Sequence, residues 1–351
     1  MKRIPICLAA ALALCAPSAW AAEYNLYTGG THSHTSFSDG SLLPADAYDT
    51  ARFKGHCDFW YVTDHYQGLS TVETDPAVSE FVKEWDYTKR VAAEKTVAGE
   101  FLALAGWEWS DGAFGHANVL FDNTEPPGII MTGYYDTFVS NWLRKNKQSL
   151  TGFNHPLWSE VDANLNNFRQ FTFRPEIARQ VMYMEISFLD EVHYFYEALD
   201  KGWWIAPLAA QDNHAPDWCL LPEYAMVYAA ELTEAGLRKA FEARRFYATT
   251  DRTLELSFNG NGAPMGSRLA AESVALDIRA RSTSGKTPKL VRLVASGAKT
   301  LKEWTPEGAL FETTFETPIP DGTTQWFVAY VENADGTFAL SAPIIVKNAP
   351  Q

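Results

Sequence analysis

Up to about Thr250 the chain alternates short apolar runs with segments of helical period. DFWYVTD, FLALAGWEW, HANVLF, VMYMEIS and WWIAPLAAQD have the length and composition of strands. Between them lie DPAVSEFVKEWDYTKRVAAEKTVAG and TEAGLRKAFEARR, which carry helical patterning. This succession predicts an α/β domain over residues 22–250, with a mainly parallel sheet or barrel. After YATTDR the pattern changes to short alternating runs, LELSF, VALDIRA, KLVRLVA and TQWFVAYVEN, separated by Gly, Pro, Asn and Asp turns. A C-terminal β-sandwich over residues 251–351 is predicted. The length of 351 residues agrees, because it exceeds what one core usually serves.

Polar residues fall on these elements in a particular way. Residues two apart on a strand share a face, so His32 and His34 in THSHTSFSDG point to one centre, and Asp212 and His214 in AAQDNH do the same. His65 closes DFWYVTDH, and Glu108 in LALAGWEWS faces away from Trp107 and Trp109. His155 follows LTGFN and precedes Pro156, and His116 opens HANVLF. Six of the eight histidines therefore lie in or beside polar clusters at the borders of apolar runs, as do Asp39, Glu108 and Asp212. In α/β barrels the C-terminal strand ends form the active-site rim. Imidazoles and carboxylates without suitable cysteines make the ligand set of a hydrolytic Zn, Mn or Fe site. There is no G-x-S-x-G elbow, and Cys57 precedes its strand, so a Ser or Cys nucleophile has little support.

The first 21 residues have the layout of a signal peptide cleaved after Ala21. Lys2 and Arg3 precede the apolar run ICLAAALALCA, and small residues stand at Ala19 and Ala21. A lipoprotein reading through Cys15 is disfavoured by the bulky Leu14 before it. The expected location is periplasmic or secreted, and no later apolar run is long enough to span a bilayer. The formal charge of −14, more negative once Lys2 and Arg3 are removed, argues against nucleic acid or an anionic membrane as partner. Cys57 and Cys219 remain. Cys57 stands seven residues before Asp64, about 23 Å of extended strand. Cys219 follows His214 by five residues and is expected near the rim, so the two are expected to be unpaired.

The motifs HSHTSFSDG, VTDH, GWEW with GHANVLF, NHP and QDNH, in that order, resemble those of the PHP (polymerase and histidinol phosphatase) superfamily of metallohydrolases over roughly residues 25–250. The signal segment, the form QDNH and the region YATTDRTLELSFNGNGAPMG are most similar to its carbaryl-hydrolase-like branch. The resemblance implies a distorted seven-stranded (β/α) barrel holding two or three divalent metal ions. It implies that His32, His34, Glu108 and Asp212 hold one metal, that Glu108 bridges to a second completed by His116 and His155, and that Asp39, His65 and His214 hold the third. Asp39 stands where many members have a histidine. A harder oxygen ligand there weakens the third site or shifts it from Zn towards Mn or Fe.

Asp64, beside His65, is the candidate to pass a proton to a leaving group, although orienting a ligand is the commoner service of such a residue. Glu185 ends VMYME and has a similar supporting position. His56, in the turn before a strand at the opposite end of the barrel, and His193, in a helical stretch, are expected to be structural or at the surface. Three functions follow from the ligand set. They are phosphoester hydrolysis of a small molecule, carboxylester, carbamate or amide hydrolysis by the same site, and a non-catalytic module with structural metals. The third is disfavoured, because structural metals seldom need open coordination positions.

Overall fold

The computed structural model describes residues 23–69, 82–127, 135–157 and 168–349. The signal segment expected at residues 1–21 lies outside them. Among the described residues ten strands precede Thr250: β1 (Asn25–Gly30), β2 (Phe59–Val62), β3 (Leu102–Ala105), β4 (Trp107–Asp111), β5 (Gly115–Leu120), β6 (Leu150–Phe153), β7 (Val181–Glu185), β8 (Ala206–Leu208), β9 (Tyr224–Ala229) and β10 (Phe246–Thr249). The β1–β2–β3 and β6–β7–β8 pairings are parallel. The β4–β5 and β5–β6 pairings are antiparallel, as are those of β9 with β1 and with β10. The fold is mixed α/β with many strands and few helices. Among the described residues the longest are Glu84–Lys95, Val192–Asp200 and Glu234–Glu242.

The expected seven-stranded barrel does not form as one closed sheet among the described residues. Strands β4 to β8 make a five-stranded sheet, whereas β1, β2, β3, β9 and β10 belong to an eleven-stranded one. The division falls at Gly106, inside the run read as the single strand FLALAGWEW. A Cβ at Gly106 would lie 2.8 Å from the Val119 carbonyl oxygen, so the chain crosses there because glycine permits the close approach. Isolated contacts join the two sheets. His65 bridges Glu108 and Ser33 bridges Asn213, both in parallel register, and Ser33 also accepts the Thr63 N–H at 2.9 Å. These joints carry residues 31–34 from the end of β1 between the segments that follow β2 and β8.

Beyond residue 250 a four-stranded antiparallel sheet, which includes Leu254–Gly260, Ser273–Ser282 and Leu310–Pro318, accompanies the remaining C-terminal strands. Those remaining strands continue the eleven-stranded sheet across the expected boundary, since β10 pairs with Phe338–Ser341. A buried cluster containing Trp60, Tyr183, Phe241, Phe258, Leu276 and Val331 runs through both parts.

One expectation is overturned. Cys57 and Cys219 form a disulfide with their Cα atoms 6.3 Å apart. The segment after His214 leaves the rim. Trp218 donates its indole N–H to the His34 carbonyl, and Cys219 donates its N–H to Gln211 Oε1 at 2.9 Å. Five residues reach about 17 Å when extended, enough to bring Cys219 to the foot of β2. There it lies against Gly55, where a Cβ would stand 2.4 Å from that of Cys219. Arg252 secures the junction by donating to the carbonyl oxygens of Gly55 and Cys219.

Candidate metal centre

Neighbouring packing fixes the direction of each donor. Trp107 and Trp109 point into an aromatic layer, Trp107 edge-on to Trp142 and Trp109 stacked on Phe138, so alternation along β4 turns Glu108 inward. His32 and His34 flank Ser33, whose backbone is tied to both sheets, and both imidazoles are fully buried. His155 (φ 25°) and Asp212 (φ 46°) have positive φ. Such strain, of order 1–3 kcal/mol per residue, concentrates at functional sites.

All nine residues expected as metal ligands converge. Donor atoms lie within 4.8 Å of one another in four overlapping groups: His32, His34 and Asp212; His32, Glu108 and His155; His65, Glu108 and His116; and His34, Asp39, His65 and His214. His32, His34, His65 and Glu108 each belong to two of these groups, so the groups overlap instead of dividing into the three separate sets that the resemblance implies. Glu108 is the centre. Its Oε1 lies 3.0 Å from His32 Nε2, 3.3 Å from His116 Nδ1 and 3.5 Å from His155 Nε2, while Oε2 lies 2.8 Å from His65 Nδ1. Asn154 Nδ2 also donates to Oε1 at 2.8 Å. Asp39 is the outermost member, 3.2 Å from His214 Nε2 and 3.5 Å from His65 Nε2.

The tautomers of the two leading histidines follow from their outer partners. His32 Nδ1–H donates to Glu185 Oε1 at 3.0 Å. Ser38 Oγ–H donates to Asp64 Oδ1 at 2.6 Å, which leaves its oxygen to accept His34 Nδ1–H at 3.1 Å. Both Nε2 atoms are therefore free to present lone pairs. They stand 3.2 Å apart and within 3.1 Å of Asp212 Oδ1, a buried oxygen that accepts no hydrogen bond. Facing lone pairs and an orphaned carboxylate oxygen repel one another unless a proton or cation lies between them, so the donor set fits divalent metals. Without a cation, burial opposes the His32 imidazolium, but Asp212, Glu185 and Glu108 prevail and hold its pKa well above the ordinary value. Burial likewise opposes the Glu108 and Asp212 carboxylates, and His32 foremost among the nearby imidazoles holds both below the usual range.

Of the two roles expected for Asp64, passing a proton or orienting a ligand, its surroundings suit the second. Both its oxygens are engaged by Thr35 and Ser38, three donors at 2.6 Å, and it is buried behind the loop instead of lining the cavity. Its place is to hold His34 through Ser38. Glu185 supports two ligands, since its second oxygen accepts the His155 N–H at 2.9 Å. His56 and His193 are exposed and stand apart from the cluster, as expected.

Glu191 is a further acidic residue at this site. Its Oε2 accepts the Ser187 and Phe188 N–H groups at 2.7 and 3.0 Å, as a glutamate three residues into a helix start does. That spacing was the available signal. Glu191 lines a cavity of about 400 Å³ above the cluster, together with Leu157 and Phe188, and burial pushes its carboxyl up to about 7.

No protein-family profile and no curated protein matches the chain. Solved structures do. A two-domain protein from Bacteroides vulgatus containing a predicted PHP-like metal-dependent phosphoesterase aligns with 93% of this chain and 96% of its own, at 17% identity and a TM-score of 0.51. The CARDB domain of a Pyrococcus furiosus protein, solved with di-metal ions, covers 28% of this chain and 94% of its own at 12% identity, with a TM-score of 0.21, too distant in fold to bear on the chemistry. The likeness to the Bacteroides vulgatus protein is one of overall fold, extending over nearly the whole of both chains. No helix among the described residues is long and apolar enough to cross a membrane.

Proposed function

We propose that the chain is a secreted metal-dependent hydrolase of the PHP type, acting on a small phosphate mono- or diester. The observation that carries this reading is the position of Glu108, whose two oxygens are shared among the imidazoles of His32, His65, His116 and His155 on the floor of an open cavity. Divalent zinc, manganese or iron ions bound there would supply Lewis acidity and a hydroxide-like nucleophile from water near neutral pH. Asp39, Glu108 and Asp212 are the carboxylates among the donors; with a bridging hydroxide they would balance two such ions but leave three with a positive surplus, so a cavity loaded with three ions favours an anionic substrate. His32 and His34 are held with their Nε2 lone pairs inward by Glu185 and Ser38, which keeps them available as ligands without a rearrangement. Secretion is supported by the layout of Met1–Ala21 and by the disulfide, a bond that persists in oxidising compartments.

Carboxylester, carbamate or amide hydrolysis is the second reading. It is favoured by the apolar wall of the cavity, where Leu157 is 43% and Phe188 60% exposed. Chromogenic phosphate mono- and diesters and carboxyl esters, each assayed with Mn, Zn and Fe, separate the two. Phosphoesterase efficiency above carboxylesterase efficiency is expected, and the reverse order with a metal-filled site would overturn the phosphoester reading.

A further inference from the structure

A second cavity, of about 670 Å³, opens at the other end of the strands. Its lining includes Leu150 at the head of β6, Arg179 before β7, Trp204 before β8 and Arg244 before β10, with Arg268 contributed from beyond residue 250. The metal centre lies past the opposite ends of β6, β7 and β8, roughly 15 Å along a five-residue strand. Lys147, Arg179, Arg238, Arg244 and Arg268 line this cavity with one carboxylate, Glu242, which is paired with Arg238 at 2.9 Å. The other four cations have no carboxylate within 4 Å among the described residues, in a chain with 43 acidic and 29 basic side chains. That concentration runs against the composition of the whole molecule.

Arg244 forms the floor. It is 2% exposed, and its donors reach the carbonyl oxygens of Trp204 at 3.0 Å, Glu242 at 2.5 Å and Val181 at 3.2 Å. Three of its five N–H groups are thereby oriented, yet all three acceptors are neutral, so its charge is buried without a counterion. Burial lowers its pKa from the ordinary value to about 9, with Glu242 opposing that shift and Arg268 adding to it, and it remains charged at neutral pH. Its guanidinium lies 3.8 Å from the Trp204 ring centroid, and Arg268 approaches the same ring at 5.6 Å. Buried charge without a partner is costly, and planar guanidinium forks match oxyanions bidentately.

We propose that this cavity is a second binding site, for a small multiply charged oxyanion of the phosphate or polycarboxylate kind, held by Arg244 on the floor and by Lys147, Arg179 and Arg268 at the mouth. It is independent of the hydrolase reading. Isothermal titration at low ionic strength with inorganic phosphate, pyrophosphate and citrate tests it on the metal-loaded protein and again after chelation. Binding of at least one anion is expected to survive chelation and to weaken tenfold or more in the Lys147→Ala/Arg179→Ala double variant and in Arg268→Ala. Those three side chains are exposed, so the variants should fold. Preference for the phosphates or for citrate identifies which source of oxyanion the site takes. Absence of binding at millimolar concentration, its loss on chelation, or undiminished binding in the variants would overturn the proposal.

Discussion

Glu185 Oε1 lies 3.0 Å from His32 Nδ1, and the partner oxygen of the same carboxylate accepts the backbone N–H of His155. One residue at the end of β7 thereby fixes one candidate ligand following β1 and another following β6. Such outer partners set both the tautomer and the basicity of a ligating imidazole, and their loss costs about 10–100-fold in metal affinity. Glu185→Ala is expected to fall in that range while leaving the protein folded, with Glu185→Gln nearer wild type because its amide oxygen still accepts the Nδ1–H. Metal titration of the purified variants checks this. Unchanged affinity in Glu185→Ala would remove Glu185 from the support of the site. His56→Ala, at an exposed position, serves as the near-neutral control.

Asp64 and Ser38 form the corresponding support for His34. Two roles for Asp64 make different predictions. As a positioning residue, Asp64→Asn should weaken metal binding but recover its rate at saturating metal. As a proton donor, it would lose rate at any metal concentration, most strongly on substrates with basic leaving groups. The geometry predicts the first outcome, because all three close donors point at the carboxylate and occupy both oxygens. A leaving-group-dependent loss at saturating metal would restore the catalytic role.

The candidate site was legible because its residue types are chemically distinctive and because alternation along β4 directs Glu108, although His32, His34, Asp212 and His214 lie past the ends of β1 and β8 and not on the strands themselves. Spacing paired His32 with His34 and Asp212 with His214 and turned Glu108 away from its flanking tryptophans, whereas their meeting at one centre was implied by the resemblance; the structure brings these side chains close together. What failed depended on how the chain turns between elements. Gly106 looked like an ordinary member of one strand, although its missing Cβ divides that run between two sheets. Five residues of spacing from His214 keep Cys219 near the rim only if the chain stays there, whereas Gln211 and Trp218 draw it downwards. Glu191 was hidden because a glutamate at a helix start is usually a cap, and it serves as one here while also facing the cavity.

The disulfide closes a separation of 162 residues between positions otherwise linked only by tertiary contacts. In the chain-entropy account a loop of this size stabilises by about 5 kcal/mol, and measured losses on removing native disulfides are typically about 2–5 kcal/mol. The Cys57→Ser/Cys219→Ser variant should lose stability in that range in denaturant titration. Labelling the denatured, unreduced mature protein should add no thiol label, and reduction should expose two. Two labels before reduction would show the cysteines to be free.

Metal and protons compete for His32. In the metal-free protein Asp212, Glu185 and Glu108 outweigh burial and raise its pKa above the ordinary 6.5. The folded state therefore holds a proton that the unfolded chain gives up at lower pH. Its stabilising contribution is fully present below pH 6.5 and is lost as pH rises through the higher folded value. The melting temperature of chelated protein should accordingly fall as the pH is raised above neutrality. A cation must displace this proton, so metal binding should release protons at pH 7 and tighten as pH rises, which offsets the loss in the loaded protein. Calorimetric titration in two buffers of different ionisation enthalpy counts the protons released, and melting curves with and without chelator read the stability. Metal binding with no proton release between pH 6 and 8 would mean that His32 is already neutral in the empty site, and the facing Nε2 lone pairs would then lack the proton that their 3.2 Å separation requires.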